Sequence, residues 1–205
     1  MDADRPAPVL TRRQALAASA SVTAGLVIAA CGGSDEGDPV AAPDATVEPT
    51  PACGEHTAEQ TEGPFFTPDS PERTDLAEAG MRGVPLVLTG RVLATDCRPI
   101  RGALLDFWQA DGFGAYDNRG YRLRGHQFTD GDGNYRLTTI VPGLYPGRTR
   151  HIHVKAQRRG GTVLTTQLYF PGEPANGSDG IFDPALLIAA LERDGEVRGR
   201  FDFVL

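Results

Sequence analysis

The sequence predicts an all-β domain: a β-sandwich with long loops and one short C-terminal helix. Two observations carry this. From residue 84 onward, short apolar and β-branched runs recur at nearly even spacing, separated by turns rich in Gly, Pro, Asn and Asp. Helical periodicity is confined to one segment near the end, and no phosphate loop, dinucleotide fingerprint or Gly-x-Ser-x-Gly elbow interrupts the pattern.

Residues 85–94 read as the first strand and residues 96–102 as its turn. Residues 103–110 are almost wholly apolar, which predicts a central strand. The glycine-rich stretch 111–125 holds Tyr116 and Tyr121 and reads as a long loop, where a site would be built. Residues 127–140 read as strand, turn and strand, with Tyr135 on the core face. An EF-hand started at Asp130 would place Tyr135 where glycine is required and Val141 where a glutamate belongs, so the acidic turn predicts a hairpin. A further strand covers 162–170. Asp183-Pro184 is an N-cap with proline at the first helical position and predicts a helix over 184–193. Residues 197–205 then close the domain as an edge strand.

Upstream of the strands the composition changes. Arg12-Arg13 precedes a weakly apolar run ending at Ala30, the layout of a twin-arginine export signal, and Ile28-Ala29-Ala30-Cys31-Gly32 has the form of a lipobox with Cys31 as the lipidated residue. Residues 31–52 are poor in large apolar side chains and read as a tether. The expected layout is therefore a signal at 1–30, a tether at 31–52 and a domain at 53–205. It predicts an exported protein that meets the membrane only through a lipid anchor. In that oxidising compartment Cys53 and Cys97, the two remaining thiols, are expected to pair. A chain of 205 residues, 40% apolar, has room for one such domain, and its net charge of -7 without a basic run excludes a nucleic-acid surface.

The stretch with the densest chemistry is Tyr145-Pro146-Gly147-Arg148-Thr149-Arg150-His151-Ile152-His153-Val154. If the histidines begin a strand, the period of two puts both imidazoles on one face, where they can share a metal ion. A three-histidine zinc site would have to recruit His56 or His126, the only other histidines, and tyrosine is the nearer candidate for further ligands.

Taken together, Glu62-Gly63-Pro64-Phe65, the run from Gly102-Ala103 to Gln109-Ala110, Gly114-Ala115-Tyr116, Tyr121-Arg122, Thr129-Asp130 through Tyr135, Pro142-Gly143-Leu144-Tyr145-Pro146, His151-Ile152-His153 and Thr166 to Pro171 resemble the intradiol ring-cleavage dioxygenases. The resemblance covers nearly the whole domain in order. It implies one non-haem Fe(III) held by Tyr121, Tyr145, His151 and His153. It further implies a catechol-type substrate that displaces Tyr145, insertion of both atoms of O2, and a cis,cis-muconate type product. Arg148 would stabilise negative charge developing on the substrate ring, and Gln167 would orient Arg148 or the substrate. Only five residues separate Tyr145 from His151, with Gly147 where soluble relatives often carry an aromatic. That resembles an exported branch of the family with a more open mouth. The competing expectation is a non-catalytic, transthyretin-like or carboxypeptidase-regulatory-like binding module, which leaves the histidine pair, Arg148 and Gln167 without a role.

Overall fold

The computed structural model describes residues 53–205. The expected signal, the tether and Cys31 lie outside the described residues. Two sheets face one another. One has the order β4 (Asn134–Ile140), β1 (Pro85–Leu93), β8 (Glu196–Arg200), β7 (Ala189–Arg193), with β9 (Phe203–Val204) also paired to β1, and the other the order β3 (Arg124–Phe128), β2 (Leu104–Gln109), β5 (His151–Gln157), β6 (Val163–Tyr169). Strand β1 (Pro85–Leu93) alternates buried Leu86, Leu88 and Val92 with more exposed neighbours, as expected of a strand with one face on a core. It pairs antiparallel with β4 (Asn134–Ile140) and parallel with β8 (Glu196–Arg200). In the other sheet β2 (Leu104–Gln109) lies between β3 (Arg124–Phe128) and β5 (His151–Gln157), and β6 (Val163–Tyr169) closes the edge. The core between the sheets is filled by Leu86, Leu88, Leu105, Phe107, Leu137, Ile152, Val154 and Phe203, among others. This is the predicted sandwich, and no helix of the described residues is long and apolar enough to cross a membrane.

Three local expectations are corrected. The segment 127–140 is not a hairpin: β3 pairs with β2 and β4 with β1, so the turn at 130–133 carries the chain from one sheet to the other. Asp130 organises that corner by accepting the amides of Asp132 and Asn134 at 2.9 and 2.8 Å. Tyr135 does face the core, and its hydroxyl donates to Phe201 O at 2.8 Å.

The C-terminal helix is the second correction. Asp183 caps as expected, accepting from Ala185 N, but only Pro184–Leu186 forms a 3-10 turn before Leu187 returns to extended backbone. Ile188 N then bonds Tyr169 O, and β7 (Ala189–Arg193) forms a hairpin with β8 across Asp194-Gly195. Both turn residues have positive φ, 54° and 79°, the Asp-Gly hairpin geometry that overrides the cap signal. Third, the final stretch is not one edge strand. It divides into β8, interior between β1 and β7, and β9 (Phe203–Val204), with buried Phe201 and Asp202 at the break.

Cys53 and Cys97 form a disulfide with a Cα–Cα distance of 5.3 Å across 44 residues. Closing a loop of that length in the unfolded chain stabilises the fold, so Cys97→Ser is expected to lower stability by roughly 2–4 kcal/mol. Urea denaturation of the variant, and of the wild type with and without reductant, measures this. A change near zero would mean that the incoming segment lies outside the cooperative unit.

Candidate metal centre

The site stands on the face of the β3-β2-β5-β6 sheet turned away from the core. Ile152, Val154 and Ala156 take the core side of β5, so His151 and His153 share the other side, as the period of two requires. Both are buried and their Nε2 atoms lie 3.1 Å apart. The loop after β2 brings the Tyr116 hydroxyl to 3.0 Å from His151 Nε2 and 3.1 Å from His153 Nε2. That loop is wound on Asp111, whose Oδ1 accepts the amides of Phe113 and Ala115 while Oδ2 takes the Arg122 guanidinium at 2.6 Å.

His151 Nδ1 donates to Thr149 O at 2.6 Å, which leaves the lone pair on Nε2. Burial pulls its pKa down to about 4, with the Thr149 hydrogen bond opposing and the Arg148 charge assisting. Burial, then the charges of His151, Arg148 and Arg124, holds His153 well below the ordinary histidine value. Both rings are therefore neutral near pH 7. Burial acts in the opposite sense on the Tyr116 phenol, raising its pKa, and the nearby Arg148 and Arg124 only partly counter this. Either His153 Nε2 competes with His151 Nε2 for the single phenol proton, or His153 carries its proton on Nε2 and leaves a bare lone pair on Nδ1. Among the described residues, buried His153 Nδ1 has no partner.

A cation bound among these three atoms would satisfy them together and supply the charge a buried phenolate needs. Among the described residues no three His, Cys, Asp or Glu side chains are grouped to hold a metal, and the protein oxygen nearest both imidazoles is the Tyr116 phenol. Neutral imidazole combined with anionic phenolate fits a hard, trivalent ion such as Fe(III). The donor set present thus fits the iron expected from the sequence.

Tyr145 is half-buried beside this cluster, its ring centroid 5.9 Å from that of Tyr116 and 5.4 Å from that of Phe65. Tyr121 is not brought to it. Asp117 accepts the amides of Arg119, Gly120 and Arg122, and this tight loop turns Tyr121 outward, where it is 39% exposed and donates to Pro68 O at 3.1 Å. Tyr116 takes the place expected for Tyr121. The signal was in the sequence: Gly114-Ala115-Tyr116 follows directly on β2, whose Trp108 is in register with His153. Neither of the other histidines joins the pair, since His126 Nδ1 bonds Ser70 O at 2.7 Å and His56 is exposed.

Trp108 stacks on His153 at 4.7 Å with 6° between planes, fixing the ring from behind. The Gly63-Pro64-Phe65-Phe66 arm crosses the site, with Phe65 stacked 4.5 Å from Tyr116 and Phe66 edge-on to Trp108 at 4.9 Å. Lys155 sits over Phe66 at 4.3 Å. Arg148 and Gln167 do meet: Arg148 donates to Gln167 Oε1 at 2.6 Å, and Gln167 in turn donates to Thr61 O at 2.8 Å. Asp179 and Trp108, not singled out from the sequence, complete this surround.

A dioxygenase family model, Dioxygenase_C, matches residues 61–205. The β chain of protocatechuate 3,4-dioxygenase from Burkholderia cepacia is 36% identical over 118 residues, 49% of this chain and 50% of that protein. Hydroxyquinol 1,2-dioxygenase from Rhizobium sp. (strain MTP-10005) is 32% identical over 146 residues, 58% of this chain and 50% of that protein. The chain thus spans about half the length of the curated relatives it matches. Among solved structures, the dioxygenase domain of a dioxygenase carbohydrate-binding protein fusion from the cellulolytic bacterium Streptomyces sp. SirexAA-E is 60% identical. It superposes with a TM-score of 0.72 over 74% of this chain and 98% of that one. The 3-chlorocatechol 1,2-dioxygenase of Rhodococcus opacus 1CP gives 29% identity and a TM-score of 0.67, over 72% of this chain and 71% of that one. With the sandwich, the histidine pair and a phenol converging on it, these matches establish that the chain belongs to the intradiol ring-cleavage dioxygenase family.

Proposed function

We propose that this protein is an Fe(III)-dependent intradiol dioxygenase that opens a catechol-type ring between its two hydroxylated carbons, giving a cis,cis-muconate type diacid. The observation that carries it is the convergence of Tyr116 Oη, His151 Nε2 and His153 Nε2 within 3.1 Å. Those three side chains and Tyr145 would hold one iron per chain. Bound ferric iron would make a catecholate reactive toward O2, and both oxygen atoms enter the product, so no external reductant is needed.

The chain's own groups have separable tasks. Tyr116 Oη meets both histidines and its ring stacks on Phe65, whereas Tyr145, on the loop between β4 and β5, meets Phe65 and Tyr116 only edge-on, so Tyr145 would be the phenol that yields to substrate and takes up a catechol proton. The Arg148 guanidinium stabilises negative charge on the ring, while Gln167 holds it in place. Phe65, Phe66 and Trp108 wall the site with apolar surface. Phe113 and Leu144 are exposed on the two loops that carry Tyr116 and Tyr145, and a side chain at Gly147 would meet open space. These features support a mouth that admits catechols with bulky substituents, to be tested by comparing kcat/KM for catechol and for ring-extended catechols.

The export reading joins this proposal: a twin-arginine signal at 1–30 and lipidation of Cys31 would place the enzyme outside the cytoplasm on a lipid anchor. The Cys53–Cys97 disulfide and the similarity to a domain from a carbohydrate-binding fusion support it. Mass analysis of the mature protein, with Cys31→Ser as control, tests it.

The catalytic reading is tested by the visible spectrum of the iron-loaded protein. A tyrosinate-to-iron charge-transfer band should shift when catechol is added without oxygen and bleach when air is admitted. A protein that stays colourless with ferric iron would leave the non-catalytic binding module as the better account.

A further inference from the structure

The segment that leads into β5 is held residue by residue by a single loop. Arg150 Nε donates to Glu173 Oε2 at 2.5 Å, Thr149 Oγ1 to Asn176 Oδ1 at 2.6 Å, and Arg148 Nε to Asp179 Oδ2 at 2.9 Å. The partners run in reverse order at a spacing of three, which matches the period of the 3-10 turn Pro174–Gly177 within the loop. Two of these contacts fasten the loop, but the third reaches the reaction centre.

The Asp179 side chain is only 2% exposed, and backbone amides fix both of its oxygens: Oδ2 accepts Thr149 N at 2.9 Å and Oδ1 accepts Ile181 N at 3.1 Å. It therefore presents Oδ2 to Arg148 from a set position. Gln167 holds a second edge of the same guanidinium. With Nε and one terminal nitrogen engaged, the remaining N–H groups have a defined direction instead of the many rotamers of a free arginine. The same carboxylate also accepts from Thr149 N, the backbone amide of the residue whose carbonyl accepts from His151 Nδ1.

We propose that Asp179 is a positioning residue for ring cleavage: it aims the Arg148 guanidinium at the substrate ring and steadies Thr149, the residue whose carbonyl orients His151. The inference rests on the dioxygenase reading above. Asp179→Asn removes the negative charge opposite Arg148 and sets an amide NH2 against one of the donors that the two carboxylate oxygens accept, whereas Asp179→Glu keeps the charge and shifts its position.

The test uses full-chain, iron-loaded wild type, Asp179→Asn, Asp179→Glu and Glu173→Gln, assayed for iron content, charge-transfer band, KM and kcat. For Asp179→Asn, kcat should fall about 10- to 100-fold, as expected for a displaced catalytic charge, with KM moved less and the iron content and band retained. Asp179→Glu should lie between that variant and wild type, and Glu173→Gln should keep kcat within about twofold of wild type. An Asp179→Asn protein with wild-type kcat overturns the assignment. If that variant loses iron instead, Asp179→Glu decides at full iron content, and a wild-type kcat there overturns it as well. A wild type that turns over no catechol removes the dioxygenase reading itself, whereas normal wild-type turnover with unchanged variants removes only the role of Asp179.

Discussion

Replacing Tyr116 by phenylalanine is expected to lower iron retention and turnover by at least about 100-fold, the scale on which loss even of a group supporting a metal ligand is felt. Phenylalanine keeps the ring that stacks on Phe65 but removes the one oxygen placed 3.0–3.1 Å from both imidazole nitrogens. The fold should survive, because among the described residues that hydroxyl bonds only the two histidines. The charge-transfer band should weaken in proportion, since one of the two proposed phenolates is gone. Tyr121→Phe is the matched control. It deletes a single hydrogen bond from an exposed side chain to Pro68 O, so it is expected to cost about 1 kcal/mol or less and to leave iron content unchanged. The reverse pattern, with Tyr121→Phe losing iron and Tyr116→Phe keeping it, would return the ligand role to Tyr121.

A second large effect is expected where the two tyrosine loops cross. At Gly114 an added Cβ would lie 2.0 Å from Leu144 O, and Gly143 in turn approaches Gly114 N so closely that its own Cβ would sit 2.4 Å away. Backbone meets backbone there, so neither side can yield by a rotamer change. Gly114 also has a φ of +84°, which L-residues adopt at a cost. Gly114→Ala is therefore expected to lower stability by about 3 kcal/mol or more, from strain and overpacking together, and to part Tyr116 from Tyr145. Gly147→Ala separates the two causes. Its φ of +78° is similar, but nothing lies within 4 Å of the added carbon, so only the conformational cost of about 1–2 kcal/mol remains. Urea denaturation and iron content of both variants measure the difference, and equal losses would show that the loop crossing is not tight.

Much of the site is local in sequence. His151-Ile152-His153 shares one face because any strand has a period of two, and Tyr145, Arg148 and Thr149 stand within a few residues of it. The second tyrosine was not local in that sense. Tyr116 and Tyr121 both sit in one glycine-rich loop, and which of them turns inward depends on how Asp111 and Asp117 wind that loop over the sheet. The C-terminal region shows a similar competition. The Asp183-Pro184 cap formed, but the Asp194-Gly195 turn and the pairing of β8 with β1, a strand about a hundred residues away, took the segment into a sheet.

The sequence by itself determined the all-β class, the apolar alternation of the strands, the histidine pair and the family, since each is written in short-range periods and motifs. Only the tertiary structure decided that 127–140 crosses between sheets, that Tyr116 meets the histidines, and that Asp179 faces Arg148. The physical reason is that these depend on contacts between segments far apart in the chain, such as β4 with β1, Arg148 with Asp179 and Tyr116 with His151, which form only when strands pair and loops are laid over a sheet face.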